Sequence, residues 1–154
     1  MSRTKNKLVE TIDFELRKST TYSSIFAQII AFKVKLTTTD MEIGDMLSWK
    51  GPLTAGEIAK FIGLTTGAVT GVIDRLENAG IVKRKNDKTD RRKVIVELVY
   101  KGAMKIAKHF DSQGIKNKNF MKKYSETELN IILEFIRKTN EITEEEIENN
   151  KIKK

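Results

Sequence analysis

Thr66, Gly67, Thr70 and Gly71 recur at the spacing of one helical face, and twelve residues later a run from 83 to 93 holds Lys83, Arg84, Lys85, Lys88, Arg91, Arg92 and Lys93 against only Asp87 and Asp90. The first set offers hydroxyls, methyls and bare backbone. The second offers a net +5 over eleven residues. Neither set breaks bonds. Together they suit hydrogen bonding and charge pairing with a polyanion, whose counterions such a cluster displaces. The groups that would support covalent chemistry are scarce. One histidine and no cysteine leave no Ser-His-Asp or Cys-His set, no disulfide or thiol switch, and no imidazole or thiolate cluster for zinc or copper. The glycine pairs do not form a phosphate-binding loop, so no enzyme, metal or cofactor is expected. His109 reads as a surface or cavity-edge residue.

Two short amphipathic helices must position the first set. Ala55, Ile58, Ala59 and Ile62 fall at i, i+3, i+4 and i+7, and Val69, Val72, Ile73 and Leu76 repeat that spacing. Gly63 between them tolerates a positive φ, Thr65 can cap the second helix, and Gly80 followed by Ile81 fits a left-handed stop. Helix, turn, longer helix and stop is the helix-turn-helix order. Residues 82–85 and 92–99 then read as two strands, the second with Val94, Val96 and Leu98 on one face. The basic run is thus expected on a β-hairpin. With the stripe of Val69 and Leu76 turned inward, Thr66, Gly67, Thr70 and Gly71 face outward on a helix slim enough to lie deep in a major groove.

These residues resemble the MarR-type winged-helix transcription regulators. The resemblance is carried by Leu36-Thr37 opening a helix, by Gly51-Pro52-Leu53-Thr54, by the twelve residues from Thr66 to Glu77, by Gly80-Ile81-Val82 and by Asp90-Arg91-Arg92. It implies a mainly α (α+β) fold, a winged helix-turn-helix with a two- or three-stranded wing, flanked by N- and C-terminal dimerisation helices. It implies one domain over 1–154, with the reading region at 36–100 and helical dimerisation regions at 1–35 and 101–150. Arg92 resembles the wing-tip arginine that enters the minor groove, with Asp90 fixing the loop and Arg91 on phosphate. Arg75 resembles an arginine that holds phosphate or anchors its helix; a surface ion pair with Asp74 or Glu77 is the plainer alternative. Thr54 and Thr65 open helices, where hydroxyl and N–H groups can hold phosphate. The expected contact set is therefore Thr54, Thr65, Thr66, Gly67, Thr70, Gly71, Arg75, Arg84, Arg91, Arg92 and Lys93. Two positions depart from the family pattern. Lys88 stands where many relatives have proline, and Gly71 stands where a large or basic side chain is common, which shifts specificity toward duplex shape and half-site spacing.

The flanks complete the expectation. Leu8, Ile12 and Leu16, then Tyr22, Phe26, Ile29 and Ile30, make one long helix with more apolar surface than it can hide alone. Residues 125–150 begin with a capped Ser125 and carry eight glutamates against Arg137 and Lys138, a net −6, which keeps that end off a polyanion. Residues 101–123 carry seven lysines against Asp111, a net +6. They either track phosphate or pair with the acidic helix. A homodimer on a pseudo-palindromic double-stranded DNA operator follows from the resemblance, acting as a repressor. A small aromatic or amphipathic effector would bind near Tyr22, Phe26, Met41, Met46 and Trp49, although core packing accounts for each of them as well. The overall charge of +8 also suits a membrane surface, but no apolar run approaches the ~20 residues a span needs. The N-terminus lacks the apolar stretch of a signal peptide, so a cytoplasmic protein is expected. The competing reading is a winged helix that acts without a ligand, as a DNA-architectural or protein-interaction module.

Overall fold

The computed structural model describes residues 2–87, 89–90 and 92–151. The chain opens with α1 (Arg3–Lys33), 31 residues long and capped by Ser2, whose hydroxyl accepts the Lys5 N–H. A turn through Lys35, at φ +59, leads to α2 (Thr38–Lys50). Then come β1 (Leu53–Thr54), α3 (Ala55–Ile62) and α4 (Thr66–Asn78), followed by the hairpin β2 (Val82–Asn86) and β3 (Val94–Leu98). α5 (Tyr100–Ala107), a 3-10 turn (Lys108–Phe110), α6 (Asp111–Met121) and α7 (Glu126–Asn150) complete the chain.

The turn chemistry behaves as its residue types require. Gly63 takes φ +72 after α3, and Gly80 takes φ +69 after α4, where the Ile81 N–H returns to the Leu76 carbonyl at 2.9 Å. That six-to-one bond closes the helix and brings Ile81 into the core. Thr65 caps α4 through the Ala68 N–H at 3.2 Å. Thr37 and Thr54 each make a full capping box, with Asp40 and Glu57 respectively.

The three strands form one antiparallel sheet in the order β1-β3-β2, with Leu53 opposite Val96 and Val82 opposite Leu98. The wing is therefore three-stranded. Its last strand begins at Val94, two residues later than the alternation suggests, which leaves Arg92 and Lys93 in the loop. The core lies between α2, α3, α4 and this sheet. Ile43, Ile58, Val69, Ile73 and Leu76 have no solvent exposure, and Val82 and Val96 close the sheet side. The flanks differ. α1 buries only Ile30 and Ala31, and among the described residues α6 and α7 bury none.

One contact ties the flank to the helix-turn-helix. A Cβ on Gly102 would stand 1.9 Å from the Gly80 carbonyl oxygen and 3.0 Å from the Ile81 Cα. Only hydrogen fits between the first turn of α5 and the turn ending α4. Gly102→Ala must push two backbone segments apart, and overpacking of that kind costs about 1–3 kcal/mol. A fall in Tm of roughly 5 °C in thermal denaturation is expected, and an unchanged Tm would contradict the close approach.

Candidate nucleic-acid interface

The N-terminus of α4 is open in two senses. It has no acidic residue in its first turn, and Thr66, Gly67 and Thr70 are all exposed. The Thr70 hydroxyl donates to the Thr66 carbonyl at 2.9 Å, which fixes its rotamer and leaves its oxygen lone pairs and methyl outward. Gly71 is half-buried, with Arg75 Nη1 3.9 Å from where its Cβ would be. Gly67 meets nothing within 4 Å, so internal packing does not require a glycine there.

The N-terminus of α3 is closed by contrast. The Thr54 backbone N–H and hydroxyl both donate to Glu57 Oε2, at 2.7 and 2.8 Å, and these bonds hold the Glu57 carboxyl below its usual pKa. The Glu57 carboxylate thus takes up the Thr54 donors at this helix start. Thr54 is thus engaged as the cap of α3, while the Thr65 hydroxyl donates no hydrogen bond among the described residues.

Arg75 does not pair with Asp74 or Glu77. Its Nε and Nη2 reach back 35 residues to the Asp40 carboxylate, at 3.2 and 2.8 Å. Asp40 is fully buried, whereas the Arg75 side chain is 49% exposed. The anchoring alternative is the one observed. Burial by itself raises the Asp40 carboxyl, but hydrogen bonds from Arg75 and from Thr37 outweigh it and bring the pKa below its ordinary value.

Asp74 and Glu77 serve Arg84 instead. The Arg84 Nη2 donates to Asp74 Oδ1 at 2.6 Å, its Nη1 donates to Glu77 Oε2 at 2.5 Å, and its backbone N–H donates to Glu77 Oε1 at 2.8 Å. Arg84 thus braces β2 against α4, with its guanidinium engaged within the fold. Lys83 and Lys85 pair with Glu97 on the neighbouring strand. Much of the positive charge at the base of the wing is neutralised within the fold.

At the tip, the Arg92 side chain keeps only a long contact among the described residues, its Nε 3.5 Å from Asp90 Oδ1. Asp87 Oδ1 accepts from the Thr89 N–H, the Thr89 hydroxyl and the Asp90 N–H, at 2.7, 2.5 and 2.9 Å, which lowers its pKa to about 2. The loop is therefore organised first by Asp87, which the sequence reading passed over although Asp-x-Thr-Asp has the spacing of an Asx turn. Asp90 acts second, accepting the Arg92 N–H at 3.1 Å. The Arg92 side chain is 94% exposed, and Lys93 beside it is exposed as well. Arg91 and Lys88 lie outside the described residues.

The five residues expected near an effector do not converge. Met41 alone lines the large cavity between α2, β3 and α5; Tyr22 and Phe26 border a separate groove on α1. Met46 is core, and Trp49 packs edge-on to Phe61 at 5.9 Å. His109 sits exposed in the 3-10 turn, and no group of metal-binding side chains occurs among the described residues. No helix among them is long and apolar enough to cross a membrane.

A slim helix with an open N-terminus beside a braced, basic-tipped hairpin defines a winged helix-turn-helix regulator. The MarR family model matches residues 36–94. The HTH-type transcriptional regulator YcgE of Bacillus subtilis is 37% identical over 144 residues, 94% of each chain. The HTH-type transcriptional repressor YetL of the same organism is 27% identical over 84 residues, covering 54% of this chain and 50% of its own. In structure, a MarR family protein from Bacillus stearothermophilus matches 90% of this chain and 96% of its own at a TM-score of 0.67 and 22% identity. The regulator Tm0710 of Thermotoga maritima matches 89% and 96% at 0.64 and 20%. The chain belongs to the MarR family of transcriptional regulators.

The Asp40 pair yields a test. A carboxyl whose folded pKa lies below its unfolded value of about 3.9 stabilises the fold above that pH and ceases to do so as pH falls through the folded value. Asp40→Asn is expected to cost about 1–3 kcal/mol at neutral pH, measured by urea denaturation. The gap to the parent protein should narrow below about pH 4; a gap that does not depend on pH would contradict the charged pair.

Proposed function

We propose that the protein is a homodimeric, sequence-specific repressor that binds double-stranded DNA through the α4 N-terminus and the wing tip and is released by a small effector. The observation that carries this reading is the 94% exposed Arg92 at the tip of a wing whose base is braced to α4. A guanidinium held out in this way suits a narrow, electronegative minor groove, while the flat face of Thr66, Gly67 and Thr70 suits the adjacent major groove.

Dimerisation is supported by unspent apolar surface. Phe32, Tyr22 and Leu8 on α1 are 87%, 62% and 60% exposed, and Ile115 on α6 and Ile131 on α7 lie equally open. Such faces are continuous with no core in the single chain and would be covered by a two-fold mate. The repressor reading takes support from relatives described as repressors, YetL and NicR of Pseudomonas putida. An effector would act at the cavity of about 720 Å³ between α2, β3 and α5, where the reading core meets the flank. Filling it would favour a dimer whose two α4 helices no longer match successive major grooves.

Selecting duplexes from a random pool at fixed salt tests the reading. A pseudo-palindromic winner is expected; equal affinity for unrelated duplexes would favour the architectural alternative. On the selected duplex, Arg92→Ala should lower affinity by about tenfold or more and Lys138→Ala on the acidic helix should change little. Equal effects would remove the wing from the site. Gly67→Ala supplies the second test. It should raise stability by up to about 1 kcal/mol through helix propensity while weakening duplex binding, because its methyl points into the groove rather than the core. Unimpaired binding would mean that the helix does not approach closely.

A further inference from the structure

The cavity between α2, β3 and α5 has an apolar wall that includes Met41, Leu47, Leu98, Met104, Ile106 and Phe110. Its ionisable groups are Asp40, Asp45, Glu97 and the Tyr100 phenol, and among the described residues no lysine, arginine or histidine lines it. That is a marked imbalance in a chain with 29 basic residues and 21 acidic ones. Two of the three carboxylates are already engaged. Asp40 is held by Arg75, and Glu97 pairs with Lys83 and Lys85 from the outer side of the sheet.

Asp45 is different. Its backbone carbonyl accepts the Ser48 hydroxyl at 2.6 Å, but its carboxylate has no hydrogen bond or ion pair among the described residues. The residue is exposed at the mouth of the cavity, yet the wall beside it strips enough water from the carboxyl to push its pKa up. An ionised group in such a place gains most from an incoming opposite charge with its own N–H donors. An incoming anion would meet the Asp45 carboxylate and no lysine, arginine or histidine among the lining side chains.

We propose that this cavity takes an amphipathic cation, a lipophilic amine whose ammonium group pairs with Asp45 while its hydrocarbon body lies against Met41, Met104 and Phe110. The thioethers of Met41 and Met104 are polarisable and adapt to rings of different shape, so the apolar wall accepts a range of bodies and Asp45 supplies the selection for charge. This rests on the effector reading above only for its consequence on DNA, since occupancy of the cavity can be measured without DNA.

The test is isothermal titration calorimetry of the full chain at neutral pH with naphthylmethylamine and with naphthylacetate, which share a ring system and differ in charge. The amine should bind at least about tenfold more tightly than the carboxylate, the ratio expected for one charge-assisted hydrogen bond gained rather than repelled. Asp45→Asn keeps the side-chain shape at an exposed position, and an unchanged Tm would verify its fold. It should lose about tenfold in amine affinity without weakening naphthylacetate. Equal affinity for the two compounds, failure of the amine to bind, or an Asp45→Asn protein that binds the amine undiminished would overturn the assignment. Repeating the duplex titration with saturating amine separates the two readings. Amine binding that depends on Asp45 but leaves duplex affinity untouched would uphold the ligand class and overturn release by an effector.

Discussion

The ion pair between Asp40 and Arg75 is the constraint on which the proposed reading surface depends. Asp40 is the third residue of α2 and completes its capping box, accepting the Thr37 N–H at 2.8 Å and donating its own to the Thr37 hydroxyl at 3.1 Å. The same carboxylate takes both donors of the Arg75 fork. One buried side chain therefore caps the start of α2 and sets the rotation of α4 about its axis. A planar guanidinium on a carboxylate tolerates little rotation. With Arg75 so held, Val69, Val72, Ile73 and Leu76 must face the core and Thr66, Gly67 and Thr70 must face out. Buried pairs add little net stability compared with a well-packed hydrophobe, so orientation is the better account of what this one contributes.

The wing follows the same logic on a smaller scale. A net +5 spread over a hairpin would repel itself and hold no particular shape. The fold divides that charge by position. Arg84 is drawn onto Asp74 and Glu77 of α4, and Lys83 and Lys85 onto Glu97, so the base of the hairpin becomes a brace. Asp87 then gathers the loop N–H groups, and Arg92 is carried outward from a rigid stem. An exposed arginine on a fixed arm loses less entropy on docking than one on a free loop.

Local features were legible in the sequence because their physics is local. The 3.6-residue stripes of α3 and α4, the positive φ of Gly63 and Gly80 and the Thr65 cap each depend on residues within one or two turns. What escaped depends on folding back. Arg84 meets Asp74 and Glu77 only once the hairpin turns onto α4, and Arg75 meets Asp40 across 35 positions. β1 has two residues, too few for any alternation to register. Five bulky residues near the first two helices suggested one effector site, yet Met46 and Trp49 point to different partners, because helix membership says nothing about which neighbour a face meets. Asp45, by contrast, is an unremarkable acid until the cavity wall is in place.

Gly102 gives the flank its leverage on the reading helix. At this point the first turn of α5 lies so close to the Gly80 turn that no side chain separates them, and the Val99 N–H donates to the Ile81 carbonyl at 2.7 Å. The C-terminal end of α4 is thus joined to α5 by backbone contact, with no flexible side chain to absorb a shift. Met104, Ile106 and Ala107, further along α5, line the same cavity as Asp45. A molecule that displaces α5 from inside that cavity must move the Gly80 turn with it, and α4 can follow only by working against the Asp40–Arg75 pair at its other anchor. On the proposed release by an effector, the outcome would turn on whether the grip at Gly80 or the grip at Asp40 is the stiffer.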